Sequence, residues 1–200
     1  VVTPTANAEG RIALLQDDAG TGHMPQTDLV PLFAGEGLIH AAAFGQIDGD
    51  ADDEMVVATV DASETRIALH RVERSPGGGP LQRLYIRSVP AMPWNFEDVR
   101  IQLADVDGDF MDEIMVTARS EMMGRSSSFG TVWVFDDPAA GATELFEFGR
   151  ADGHIALQVL PLQLDGDRGK ELVVALSGDT TNAGRCAVRL FDFDAELRVF

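Results

Sequence analysis

Residues 104–116 read Ala-Asp-Val-Asp-Gly-Asp-Phe-Met-Asp-Glu-Ile-Met-Val. Asp105, Asp107 and Asp109 alternate, Glu113 follows, and an apolar run begins at once. The order returns at residues 45–57, Gly-Gln-Ile-Asp-Gly-Asp-Ala-Asp-Asp-Glu-Met-Val-Val, and at residues 162–174, Leu-Gln-Leu-Asp-Gly-Asp-Arg-Gly-Lys-Glu-Leu-Val-Val. The shared Asp-Gly-Asp starts at Asp48, Asp107 and Asp165, in steps of 59 and 58 residues. A period of this size is the mark of a stacked or circular repeat architecture.

Working outward from the acidic loops, short apolar runs broken by Gly, Pro, Asp, Asn and Ser dominate, and helical periodicity is nearly absent. Each loop is preceded by a strand-like run (39–44, 99–103, 155–160) and followed by another (55–59, 114–118, 172–176). A polar loop then leads to an alternating run (66–70, 131–135, 185–190), and in two units a fourth run follows (84–89, 144–148). The repeating unit is therefore strand, acidic loop, strand, loop, strand, turn, strand: a four-stranded antiparallel sheet. Four-stranded units repeated at this length predict an all-β fold of propeller blades. The expected organisation is residues 1–36 as the last strands of a preceding blade (runs 11–16 and 29–33), 37–95 as a blade with the first loop, 96–152 as a blade with the second, and 153–200 as an incomplete blade with the third. That makes about three and a half blades, while rings take about four to eight. More chain or another subunit is expected to close the ring, since open sheet edges invite aggregation.

Apolar residues make up 45% of the 200, enough for a core. The 15 basic residues face 33 acidic ones, a net charge of −18, which disfavours nucleic acid and anionic membrane surfaces as partners. No run of about 18 or more apolar residues exists, so no membrane insertion is expected. The single cysteine, Cys186, rules out an intrachain disulfide and reads as a small buried hydrophobe. The chain starts with Val and shows no signal segment, which predicts a processed or excised product.

Carboxylates crowded at alternating positions converge when a loop curls around a point. At about 4 Å separation each pair would repel by roughly 4 kcal/mol at an effective dielectric near 20, before solvent and relaxation reduce it. A cation relieves that repulsion. Calcium takes six to eight oxygens, some from backbone carbonyls, whereas magnesium keeps a rigid octahedron with retained waters and zinc prefers His and Cys, absent from these loops. The candidate ligands are Asp105, Asp107, Asp109, the Met111 carbonyl and Glu113 in the second loop. In the first they are Gln46, Asp48, Asp50, the Asp52 carbonyl and Glu54, and in the third Gln163, Asp165, Asp167, the Gly169 carbonyl and Glu171. Arg168 and Lys170 oppose a cation in the third loop, so affinity is expected to fall in the order second, first, third, with two to three calcium ions in all. Solvated Asp-Gly hairpin turns are the alternative for a lone copy; three at near-equal spacing, each with Glu at one offset, favour the ion.

The pattern resembles the FG-GAP and VCBS repeats of integrin alpha-subunit propellers and bacterial surface proteins. Asp105-Val106-Asp107-Gly108-Asp109 with Glu113-Ile114, the variants beginning at Gln46 and Gln163, and Phe44-Gly45 carry the resemblance, over roughly residues 37–200. It implies a calcium loop between the first two strands of each blade, with Gln46 and Gln163 standing where the family usually has Asp, and Glu54, Glu113 and Glu171 likewise.

The four histidines, His23, His40, His70 and His154, show no metal spacing and read as surface or strand residues. No nucleophile elbow, phosphate loop or dinucleotide fingerprint appears, so no catalysis is expected. Recognition is assigned to loops: 120–129 with Met122, Met123 and Arg125, and its counterparts 61–65 and 177–184. Trp94 either packs between blades or offers a stacking platform, and Trp133 reads as core. The expectation is a calcium-stabilised extracellular, periplasmic or cell-surface scaffold for interaction or adhesion, binding a protein or glycan through its loops. The alternatives are a lectin-like module or a non-catalytic accessory domain of a secreted hydrolase or lyase.

Overall fold

The computed structural model of the chain describes residues 2–4, 10–15, 26–28, 30–33, 35, 37–50, 53–61, 66–74, 80–89, 98–121, 128–136, 143–148, 155–164, 166, 169–177 and 187–192. Among them the protein is all-β. Its strands are β1 (Val2–Pro4), β2 (Gly10–Leu15), β3 (Gln26–Asp28), β4 (Leu38–Gly45), β5 (Glu54–Val60), β6 (Ile67–Arg74), β7 (Leu81–Ser88), β8 (Asp98–Ala104), β9 (Glu113–Glu121), β10 (Ser128–Asp136), β11 (Thr143–Phe148), β12 (Ile155–Leu162), β13 (Glu171–Ser177) and β14 (Ala187–Phe191). No helix among the described residues is long and apolar enough to cross a membrane.

Strand neighbours follow the chain. β1-β2-β3 form one sheet and β4-β5-β6-β7 a second, each antiparallel throughout. β8-β9-β10-β11 and β12-β13-β14 are antiparallel runs joined at a single parallel bridge, Gly130 to Ile155, into one seven-stranded sheet. The sheets do not close on themselves. The acidic loops lie between β4 and β5, β8 and β9, and β12 and β13.

Alternation along the strands builds the core. On β9, Ile114, Val116 and Ala118 face one apolar cluster while Met115 faces another. On β10, Trp133 and Phe135 join the first cluster, and Val132 and Val134 the second. The first cluster reaches into β5 and β6 through Val56, Ala58, Ile67 and Leu69, and the second into β12 and β13 through Val159, Leu172 and Val174. The β8–β11 sheet is thus covered on both faces, which is why β9 and β10 read as continuous apolar runs. An ion pair, Arg87 to Glu144 at 3.5 Å, also bridges β7 and β11, and the Arg87 guanidinium lies over the Phe135 ring.

Trp133 is fully buried, as the sequence predicts. One strand assignment is corrected: residues 30–33 form a short 3-10 turn and the strand before it covers Gln26–Asp28. Pro31 lacks an N–H for a ladder and fixes φ near −65°, which suits the turn. Cys186, Trp94 and the 122–127 segment lie outside the described residues.

Candidate metal centre

The second loop holds itself in shape with its own carboxylates. Asp105 Oδ1 accepts from Gly108 N at 2.7 Å and Oδ2 from Phe110 N at 3.2 Å. Asp107 Oδ1 accepts from Asp109 N at 3.1 Å, and Asp109 Oδ1 from Met111 N at 2.9 Å. These side-chain turns curl the segment around its acidic groups. Gly108 sits at φ 83°, where an L side chain is disfavoured, and Phe110 adopts φ 74° despite its bulk. Val106, fully buried, plugs the loop into the core beneath.

Glu113 opens β9 and is 1% exposed. Its Oε2 accepts from Val106 N at 2.5 Å, closing the loop at its base. The same bond recurs in the other loops, Ile47 N to Glu54 Oε2 at 3.2 Å and Leu164 N to Glu171 Oε2 at 2.8 Å. The glutamate common to the three loops therefore anchors the loop backbone, and in the first two Glu54 and Glu113 also lie in the acidic cluster.

Side-chain oxygens of Asp105, Asp107 and Glu113 lie within 4.8 Å of one another, and so do those of Asp107, Asp109 and Asp136. Asp107 is shared, so four other carboxylates are grouped with it. Asp136, at the end of β10 and 5% exposed, is absent from the sequence-predicted ligands. Pairing of Phe135 with Ile114 places Asp136 just past the register, level with Glu113. The signal was present in the sequence: an acid follows the last apolar residue of the alternating strand in each unit, as Glu73, Asp136 and Asp192. Those three are not evenly spaced, because the strands between them differ in length.

The electrostatics follow from burial and crowding. Burial pushes the Glu113 carboxyl up to about 8. The Val106 amide opposes that shift, and the carboxylates of Asp107, Asp109 and Asp136 add to it. Asp109 is raised as well, first by burial and then by Asp107, Asp136 and Asp105, against the Met111 amide. An all-oxygen, anionic, partly desolvated cluster suits a hard divalent cation better than a softer metal. The Met111 amide lies on the loop, and its residue is half-buried.

The first loop is built differently. Asp48, Asp50 and Glu54 again bring oxygens within 4.8 Å. Gln46, however, directs Oε1 at the amides of Asp48 (3.2 Å) and Gly49 (2.9 Å), and its Nε2 donates to the Asp50 carbonyl. Arg71 on β6 enters this loop, with Nη1 2.8 Å from Asp48 Oδ2 and Nη2 2.8 Å from Glu73 Oε2. Glu54 is raised by burial and by Asp48 and Asp50, with the Ile47 amide and Arg71 acting against it. Asp52 lies outside the described residues, as do Asp165, Asp167 and Arg168 of the third loop. There Gln163 is exposed and Gly169 half-buried.

Adjacent loops are bonded to each other. Asp112 N donates to the Gln46 carbonyl at 2.6 Å, and Gln46 N donates back to Asp112 Oδ2 at 3.0 Å. A Cβ on Gly45 would collide with that same Oδ2 and displace the carboxylate that Gln46 N holds. Lys170 N donates to the Val106 carbonyl at 2.8 Å, linking the third loop to the second.

Away from the loops, His70 is buried, 3.2 Å from Thr59 Oγ1 and edge-on to Phe33 and Tyr85, while His23 and His154 lie outside the described residues. His40 borders a recess of about 360 Å³ between β4, β8 and β12. A second recess, about 520 Å³, is lined by Gly35, Gly37, Asp61, Arg66, Ala68, Tyr85 and Ser88. No family model matches the chain, and no curated protein and no solved structure does so.

Proposed function

We propose that the chain is part of a calcium-stabilised β-propeller of the FG-GAP kind, serving as an interaction or adhesion scaffold outside the cytosol rather than as an enzyme. The observation that carries this reading is the pair of carboxylate clusters that share Asp107, one with Asp105 and the buried Glu113, the other with Asp109 and Asp136. Stacked sheets with an acidic loop between their first and second strands support the propeller. The proposed blades are residues 37–95, 96–152 and 153–200, preceded by the last strands of another in 1–36. Further chain or a second subunit closes the ring, and loops recognise a protein ligand. The Asp105, Asp107, Asp109 and Glu113 carboxylates, with Asp136, would hold the ion, which supplies charge neutralisation and no chemistry of its own.

With a dissociation constant of about 10–100 μM and about 1 mM calcium, each occupied site contributes roughly 1.4–2.7 kcal/mol. Calcium is abundant at that level outside cells, which favours an extracellular, periplasmic or surface location. The expected result is a melting temperature about 3–10 °C higher in millimolar calcium than in chelator, taking about 2–4 °C per kcal/mol. Asp107→Ala should remove most of that rise. An equal rise in Asp107→Ala, or none in the unaltered protein, sinks the reading.

A lectin-like module is the second reading, and the 520 Å³ recess favours it. Tyr85, 61% exposed at its rim, offers a stacking face beside Asp61 and Arg66, the pairing of aromatic and polar groups that sugars use. Glycan-array signal lost in Tyr85→Ala is the expected result on this reading; array signal unchanged by the substitution, or absent altogether, removes it.

A further inference from the structure

We propose that Arg71 is a built-in cation for the first loop, its guanidinium standing where calcium stands in the second, so that the first loop holds its shape without a metal. The inference rests on the calcium reading of the second loop for its comparison, while the ion pairs that carry it belong to the first loop alone.

Strand register makes the comparison residue by residue. On β6, Arg71 pairs with Val56, two residues after Glu54. On β10, Val134 pairs with Met115, two residues after Glu113. Arg71 and Val134 therefore occupy one position in two sheets. Val134 is fully buried in an apolar cluster, whereas the Arg71 side chain, 14% exposed, turns into the acidic loop. Two residues further on stand Glu73 and Asp136. Asp136 joins Asp107 and Asp109 in the second cluster, but Glu73 is held by Arg71, as is Asp48, the counterpart of Asp107. The two carboxylate positions that meet around Asp107 in one sheet are joined by a guanidinium in the other.

The acid content fits the cation. The second loop gathers five carboxylates, a set for a doubly charged ion. The first has the neutral Gln46 in place of Asp105, and Gln46 braces the backbone. Fewer charges suit a single positive charge delivered on a tether. Guanidinium forks two carboxylates with directional bonds, stays charged at any working pH, and is not extracted by chelators.

The test counts calcium ions bound by the full chain, by calorimetric titration, in the unaltered protein and in Asp48→Asn, Asp107→Asn and Arg71→Val. Asp48→Asn is expected to leave the stoichiometry unchanged, and Arg71→Val to raise it by one. Asp48→Asn lowering it by one would show an ion seated beside Arg71 and overturn the proposal, and so would an unchanged count in Arg71→Val. Asp107→Asn should lower the count by one. If it does not, the calcium reading of the second loop fails, and a metal-free measurement decides the role of Arg71. In chelator, Arg71→Val should lower the melting temperature by about 3–6 °C, and adding Asp48→Asn to it should restore more than half of the loss, because the stranded carboxylate is gone. Losses that simply add would overturn the proposal. If Arg71→Val does not fold, Arg71→Gln, which keeps the stem, runs the same cycle.

Discussion

Glu113→Gln is expected to stabilise the protein in chelator at alkaline pH and to weaken it in millimolar calcium, so that the two melting curves exchange order when calcium is added. The reason is the sign of one linkage. Folding raises the Glu113 carboxyl from an ordinary value of 4.5 to about 8. Between those values the folded state holds a proton that the unfolded state has lost, so stability falls as pH rises through this window and levels off above about 8. The stability is fully present below 4.5, the reverse of a salt-bridged carboxylate. At about 1.36 kcal/mol per pKa unit the loss is on the order of a few kcal/mol. Glutamine keeps an oxygen for the Val106 amide and carries no charge, so it escapes the loss. Calcium supplies the missing positive charge to the carboxylate and not to the amide. Since Asp109 and Glu54 are also raised, the quantity to measure is the difference between the unaltered protein and Glu113→Gln by denaturant melts from about pH 5 to 9. A difference that stays flat across that range in chelator would refute the burial of an uncompensated Glu113.

Trp133→Ala is expected to cost about 3–5 kcal/mol, and Trp133→Phe far less. Trp133 is fully buried at the seam where the β4–β7 and β8–β11 sheets meet, in one cluster with Val56, Ile67, Leu69 and Phe135. Alanine there leaves a cavity between two sheets whose backbones are fixed by their own ladders, so collapse is limited. The indole Nε1 is buried without a hydrogen-bond partner among the described residues, a state that costs stability. Phenylalanine removes that donor while keeping a ring in the seam, so lost volume and relieved desolvation offset each other. In melting temperature the expected drops are about 6–20 °C for alanine and under about 4 °C for phenylalanine. Equal losses in the two variants would mean that the indole nitrogen is satisfied in solution.

Local chemistry made the strands and loops readable from the sequence. An Asp-Gly-Asp turn followed at once by Met55-Val56-Val57, Ile114-Met115-Val116 or Leu172-Val173-Val174 needs no distant partner to announce a hairpin, and these became β5, β9 and β13. Arg71, Glu73 and Asp136 were not legible in that way. They reach the acidic loops only through cross-strand register, along hairpins whose strands differ in length, β5 with 7 residues and β9 with 9. The first loop therefore looked like a slightly weaker copy of the second, whereas Arg71 gives it a cation of its own. Gln46 carried a similar ambiguity: an amide oxygen serves a metal or two backbone N–H groups equally well on paper, and in the structure it accepts from the amides of Asp48 and Gly49.

The bonds between neighbouring loops also make this protein directional under load. A force that peels the β4–β7 sheet from the β8–β11 sheet meets the reciprocal Asp112 and Gln46 pair at one rim, and the next seam meets the Lys170 to Val106 bond at the same rim. Asp112 lies one residue before Glu113, so the grip on the preceding sheet is set by the same short segment that gathers the carboxylates. Tension on the stack and charge in the carboxylate cluster would then bear on one short segment, and the sheets would part first from the loop rim.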